Sequence, residues 1–340
     1  NMKKIIIFAF YFGKLPNYFN LWINSVEYNN TIDFVLFTDN EMNCDIPKNM
    51  FYKQITYEDM IKKISSYFDF PVCINKPYKI AEYRCGFGKI FQEYTIGYDF
   101  WGHCDIDVVF GDLRKFFSEA TLQKYDRINT LAHLILYKND EKVNSLFMKD
   151  HNFACYTYKE AYTKDYQCFY DEWGGVSAFA PYEGILQQDL INYADLDPFK
   201  FQFYLLNYHQ NYDHQILEWD RGKLYLCCIK NNKVIKNELE YVHFQKRILE
   251  VEINKKCNHF FIIPNRFIEA EELTVELIKK YTDIKVIYYG HDLHFLREGR
   301  EYALTGDEEK KKASDYWRSV ELSLMKKADI SYYPSYIERE

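Results

Sequence analysis

Short apolar runs alternate with helix-period patterns along the chain from its first residues, and this alternation builds a mostly parallel sheet covered by helices. The first run, Ile5-Ile6-Ile7-Phe8-Ala9-Phe10-Tyr11-Phe12, follows Met2-Lys3-Lys4 as a signal peptide would. No small-residue cleavage site comes after it, so it reads as a buried first strand. Pro16 suits a first helical turn, and Phe19, Trp22, Ile23 and Val26 recur at the spacing of one buried helix face. Phe34-Val35-Leu36-Phe37 is a second strand that stops at Thr38-Asp39-Asn40. Polar side chains therefore stand where a parallel strand delivers its C-terminal end, the place where such folds bind ligands. The expected class is α/β, with a Rossmann-type sheet flanked by helices.

The same pattern continues beyond those two strands. Thr56-Tyr57-Glu58-Asp59 has capping-box form, and Ile80, Tyr83, Phe87, Ile90, Phe91 and Tyr94 keep helical spacing, interrupted by Gly86 and Gly88. A strand over 98–104, a helical stretch over 113–124 and a strand over 131–136 follow. Residues 150–222 are rich in Tyr, Phe, Asp and Gln with weak periodicity, which predicts ligand-facing excursions. The character changes around 250–258, giving a domain over 1–250 and a second segment over 257–340. In that segment strands are expected over 260–263, 286–289 and 329–333, and helices over 268–281 and 308–328. About 85 residues is too little for a complete second α/β enzyme domain, so this segment reads as the partial start of one.

Composition narrows the function. With 43 Lys+Arg against 50 Asp+Glu the net charge is −7, which excludes nucleic acid as a partner by bulk charge. An anionic ligand must be met by a local cation or a metal. The nine cysteines show no C-x-x-C pair, as expected of reduced thiols in a cytoplasmic protein. No apolar stretch approaches the roughly 18 residues of a membrane span.

The sharpest motif is Cys104-Asp105-Ile106-Asp107. In an extended segment residues i and i+2 point the same way, so Asp105 and Asp107 would present two carboxylates while Ile106 faces the core. Two hard oxygen donors suit Mg²⁺ or Mn²⁺, and a diphosphate can fill the remaining coordination positions. Taken alone, D-x-D equally describes two acids at a strand exit. Tyr241-Val242-His243-Phe244-Gln245-Lys246-Arg247 offers a further ligand in His243 and phosphate contacts from Lys246 or Arg247. His243 is equally well read as a half-buried strand histidine. Lys79 and Arg84, on the helix before the D-x-D, are candidates to touch donor sugar or phosphate, or plain surface charges. In Asp171-Glu172-Trp173-Gly174-Gly175 the paired acids are candidates for the general base of an inverting transfer, with Trp173 stacking on a sugar; an acidic turn is the plain alternative. Asp189 is a weaker candidate for the base.

These residues, together with Tyr11-Phe12-Gly13-Lys14-Leu15-Pro16, Phe37-Thr38-Asp39-Asn40, Pro77-Tyr78-Lys79-Ile80 and Gly97-Tyr98-Asp99-Phe100-Trp101-Gly102, resemble bacterial GT-A-fold glycosyltransferases of surface-polysaccharide loci. The resemblance implies a nucleoside diphosphate-sugar donor, UDP-galactose being the first to try, and a divalent metal on the D-x-D. One hexose would pass to an oligosaccharide acceptor. By the same likeness Phe10, Tyr11 and Asp39 would contact the nucleotide. Ala132-His133 departs from the Gly-His pair expected there. A lipid-linked acceptor would make the protein peripheral to the inner face of the membrane. Tyr288-Tyr289-Gly290-His291-Asp292-Leu293 and Ala328-Asp329-Ile330-Ser331 are similar to the start of a GT-B-type enzyme. Two other classes compete: a haloacid-dehalogenase-type phosphatase with Asp105 as nucleophile, and a non-catalytic glycan-binding module.

Overall fold

The computed structural model describes residues 2–16, 18–189, 192–196, 205, 215–230, 233–243, 258–264, 275, 279, 285–289 and 293–332. Lys246, Arg247 and most of the helix expected over 268–281 lie outside these residues. The chain divides into two compact units, the first comprising residues 1–15, 29–108 and 113–191 and the second 16–28, 109–112 and 192–340.

The first unit carries a seven-stranded sheet. Its strands are β1 (Ile5–Tyr11), β2 (Asp33–Thr38), β3 (Met50–Gln54), β4 (Phe100–Cys104), β6 (Arg127–Ile128), β7 (Leu134–Lys138) and β8 (Gln187–Gln188), in the order β3-β2-β1-β4-β7-β6-β8. The pairs β3-β2, β2-β1, β1-β4 and β6-β8 are parallel; β4-β7 and β7-β6 are antiparallel. The expected mostly parallel α/β sheet is therefore present, and the chain reverses direction beside β4. β1 and β2 are apolar along nearly their whole length because parallel strands are covered on both faces. Phe8, Phe37, Phe87 and Phe91 fill one side of the core, with Phe8 and Phe87 meeting edge to face at 6.2 Å.

The helix expected across 80–94 is instead a 3₁₀ helix, Pro77–Gly86, followed by two single turns, Phe87–Ile90 and Gln92–Thr95. Phe91 separates the two turns with φ −118° and ψ 34°. Both glycines of this stretch serve packing. A Cβ on Gly86 would stand 3.3 Å from the Phe147 ring, and one on Gly88 would stand 2.4 Å from Trp101 Nε1. Trp101 is fully buried, stacks on Tyr137 at 4.4 Å and donates its Nε1–H to Asn144 Oδ1 at 2.6 Å.

The second unit holds a six-stranded sheet of β10 (Gln215–Asp220), β11 (Lys223–Lys230), β12 (Lys233–Leu239), β14 (His259–Pro264), β15 (Lys285–Tyr289) and β16 (Ile330–Tyr332), in the order β12-β11-β10-β14-β15-β16. Its other sheet is three-stranded, with β5 (Val108–Phe110), β13 (Tyr241–His243) and β9 (Ala194–Asp195) in the order β5-β13-β9. The sequence division at 250–257 does not coincide with these elements, because β10 pairs with β11 on one side and with β14 on the other. Trp219 shows why: buried on β10, it stacks on Phe260 of β14 at 5.1 Å and meets Tyr28 edge-on at 5.1 Å. Its Nε1–H donates to Phe110 O at 2.8 Å. That one side chain gathers helix Phe19–Tyr28 and residues 109–112 into this unit.

The expected strands near 260, 286 and 330 are present, as is the long helix, Glu308–Lys327. Helix His294–Thr305 was not legible in the sequence; its first backbone N–H groups are taken by buried Glu321, whose Oε1 accepts from His294 N at 2.9 Å.

Gly88→Ala forces a methyl into the Trp101 indole and Asn144, so a loss of about 2 kcal/mol in unfolding free energy is expected. Urea unfolding with wild-type midpoint would show that this contact relaxes without cost.

Candidate functional site

The C-terminal ends of β1, β2 and β4 lie side by side in the first unit. Gly13 follows β1 with φ +96°, a left-handed conformation that suits glycine. Its N–H donates to Asp39 Oδ1 at 2.9 Å, and its carbonyl accepts from Asn40 Nδ2 at 2.6 Å. The residues after β1 and β2 are thus cross-tied, with Asp39 holding the backbone of its neighbour strand. Phe10 does not present a free ring to the nucleotide expected there: it stacks on Phe37 at 5.0 Å and packs against Phe87 at 4.5 Å, half-buried against the core. Tyr11 is half-buried at the last position of β1.

Asp105 and Asp107 lie on a bend between β4 and β5 and not in the extended segment expected, while Ile106 is buried as expected. Their carboxylates bring oxygens within 4.8 Å of one another. Asp107 is fully buried, and Asp105 Oδ1 is ion-paired with Arg84 Nη2 at 2.5 Å. Arg84 Nη1 also donates to Ala132 O at 3.1 Å. Burial works to lower the Arg84 pKa, but the Asp105 and Asp171 carboxylates more than offset it and hold the guanidinium charged. His103, on the last turn of β4 into this bend, is fully enclosed, and its ring nitrogens have no hydrogen-bond partner among the described residues. Burial, reinforced by Arg84, pushes its pKa well down, so the imidazole is neutral.

Asp171 and Glu172 come to the same cluster and differ in environment. Asp171 is buried, and burial drives its pKa well up, with Arg84 opposing and Glu172 adding to the rise. Glu172 Oε1 accepts the Ala132 N–H at 2.6 Å. Its pKa is also raised by burial, with that hydrogen bond and Arg84 opposing. The Tyr78 phenol feels the same charges: burial raises its pKa first, then Asp105, with Arg84 opposing.

Lys79 requires a correction. Expected at the surface near a donor phosphate, it is 0 % exposed, and its ammonium donates to Ala161 O at 3.0 Å and Tyr166 O at 2.6 Å. A cation spent on two backbone carbonyls inside the protein cannot reach a ligand. Glu82, one helical turn on, is equally buried and accepts the N–H groups of Cys168, Phe169 and Tyr170. These two charges pin the loop that carries Asp171 and Glu172.

Arg127 is the residue that sequence reasoning missed. Fully buried, its Nη2 donates to Ser177 Oγ at 2.8 Å and to Asp171 O at 3.2 Å, and its guanidinium lies 5.2 Å from the Tyr137 ring centroid. A two-residue strand offers no periodicity by which to find it. His103 did carry a signal, since in β4 it shares a face with Trp101 by period two. In the second unit His243 ends β13, and its Nδ1 lies 3.0 Å from Asp195 Oδ1. Asp189, at the edge of the first unit, accepts a hydrogen bond from Thr130 Oγ1 at 2.6 Å.

The profile of a family of unknown function, DUF6625, matches residues 6–271. No curated protein matches the chain. Among solved structures it is similar to the galactosyltransferase LgtC in complex with donor and acceptor sugar analogs, at 11% identity over 71% of this chain and 87% of that one, with a TM-score of 0.36. It is also similar to the glycosyltransferase GlyE of Streptococcus pneumoniae TIGR4, at 14% identity over 56% of this chain and 45% of that one, with a TM-score of 0.29.

The buried Asp171 sets a pH dependence. Below the ordinary aspartate value of 3.8 both folded and unfolded chains hold its proton; above it the unfolded chain releases the proton while the folded one keeps it. Stability contributed by this group therefore falls as pH rises from 3.8 through the raised folded value. Urea midpoints measured at stepped pH should fall less steeply in Asp171→Asn than in wild type; superimposable slopes would contradict the assignment.

Proposed function

For this chain, which belongs to the DUF6625 family, we propose the activity of a metal-dependent glycosyltransferase that moves a hexose from a nucleoside diphosphate sugar to a growing bacterial surface glycan. UDP-galactose is the first donor to try. The observation that carries the reading is the D-x-D geometry: two carboxylates with oxygens within 4.8 Å at the exit of β4, with Glu172 nearby and Arg84 as their neighbouring cation. Such a set is short of positive charge and rich in hard oxygen donors, which fits Mg²⁺ or Mn²⁺.

Asp105 and Asp107 would hold the cation, with Arg84 fixing Oδ1 of Asp105. We assign His243 as a further ligand; an imidazole whose Nδ1 is held by a carboxylate offers Nε2 to a metal. Bound there, the cation would supply charge for a departing nucleoside diphosphate. Glu172, rather than the more deeply buried Asp171, is assigned as the base that takes the proton of an incoming hydroxyl in an inverting transfer, since a carboxylate with a raised pKa is the better proton acceptor. The ordered ends of β1 and β2, with Tyr11 and Asp39, are assigned to the nucleotide, and Lys246 to its phosphates.

The phosphatase alternative asks Asp105 to attack phosphorus, and its ion pair with Arg84 lowers the nucleophilicity that role needs. No described helix is long and apolar enough to cross a membrane. A lipid-linked acceptor would place a cytoplasmic protein of this kind peripherally on the inner face of the membrane.

The test is release of nucleoside diphosphate from a panel of nucleotide sugars with Mn²⁺. Asp107→Ala is expected to lower release by about 100-fold or more while the far-ultraviolet circular dichroism spectrum is kept. Chelation with EDTA should do the same to the wild type, and turnover that survives both would remove the metal assignment.

A further inference from the structure

The excursion over 151–184 exposes Phe153, Tyr166, Phe169, Trp173 and Tyr182, and every exposed large hydrophobic residue within it is aromatic. Aromatic rings standing in water are costly unless something covers them. Four of the five form two pairs. Trp173, 62 % exposed, stacks on Phe169 at 5.4 Å with 21° between the planes. Tyr182, 73 % exposed, lies 4.5 Å from Phe153.

The second pair continues into a chain of rings that reaches the residue beside Phe169. Tyr170, next in sequence to Phe169, packs on Phe179 at 6.3 Å; Phe179 stacks on His151 at 4.9 Å, and His151 meets Phe153 at 5.0 Å. Their backbone is fixed in advance. Glu82 takes three consecutive N–H groups at 168–170, Phe169 holds the left-handed φ of 54°, and a Cβ on Gly174 would stand 2.2 Å from Cys168 O. A carboxylate edges the second pair: Glu183 bonds His151 at 2.9 Å.

A protein partner would call for large aliphatic side chains among the rings, and residues 151–184 expose only the small Ala178 and Pro181 beside them, with Leu186 just beyond. A sugar ring offers an apolar C–H face to an aromatic plane and hydroxyls to neighbouring carboxylates. We infer that Phe169–Trp173 and Phe153–Tyr182 are two stacking subsites for one oligosaccharide, so that the glycan held is a chain of several sugars and not a single residue. This inference rests on the transferase reading for its biological role and extends it to the acceptor.

The full chain, without nucleotide or metal, is presented to a printed array of bacterial surface-glycan fragments from one to eight sugars long. Retention of fragments longer than a disaccharide is expected. Trp173→Ala should weaken retention of all fragments by about tenfold. Tyr182→Ala should weaken only the longer ones, and Tyr182→Phe should restore them. No retention, or equal retention by wild type and Tyr182→Ala, would overturn the inference. Oligosaccharide binding without donor turnover would sink the transferase reading alone, whereas donor turnover without oligosaccharide binding would sink this one alone.

Discussion

Burying the Glu82 carboxylate is the constraint on which the first unit's site depends. An ionised acid removed from water must find hydrogen-bond donors or give up its charge. Glu82 finds three in successive N–H groups of the loop at 168–170, and Lys79 beside it answers two carbonyls of the same excursion. The loop between helices Tyr158–Thr163 and Val176–Phe179 is thereby given a fixed path. The same 3₁₀ helix presents Arg84 to Asp105, so one short element sets both the loop with the acid pair and the bend with the D-x-D.

Around Arg84 the protein separates carboxylates that are chemically alike. Asp171 is sealed away from water and favours its neutral form, Glu172 keeps a backbone donor, and Asp105 is paired to the cation. Different environments for neighbouring acids are how a site assigns different proton-transfer tasks to the same functional group. Arg127 adds no contact to a carboxylate oxygen there but holds the backbone carbonyl of Asp171, fixing the acid by its main chain.

The sheet of the first unit was legible because apolar runs such as Ile5–Phe12 and Phe34–Phe37 are what a doubly covered parallel strand requires. The D-x-D was legible for a similar reason, since the acids follow directly on such a run. Lys79 was misread because a lysine at helical spacing looks solvated, and only the fold reveals the carbonyls waiting for it. Neither Arg127 nor the grouping of β10 with β14 could be read locally; both depend on partners distant in sequence, such as Asp171 for Arg127 and Phe260 for Trp219. The aromatic richness of the excursion is legible in the sequence, but which rings are exposed depends on buried charged groups that the sequence does not pair.

The place of β10 between β11 and β14 carries a lesson for anyone dividing this protein into pieces. The change in sequence character near residue 250 invites a cut there, but such a cut would remove β14, β15 and β16 together and strip Phe260 from the face of Trp219. β10 would become a bare sheet margin with unsatisfied amide and carbonyl groups beside an uncovered indole, a surface prone to self-association. A soluble fragment is better sought by following strand neighbours than by following composition.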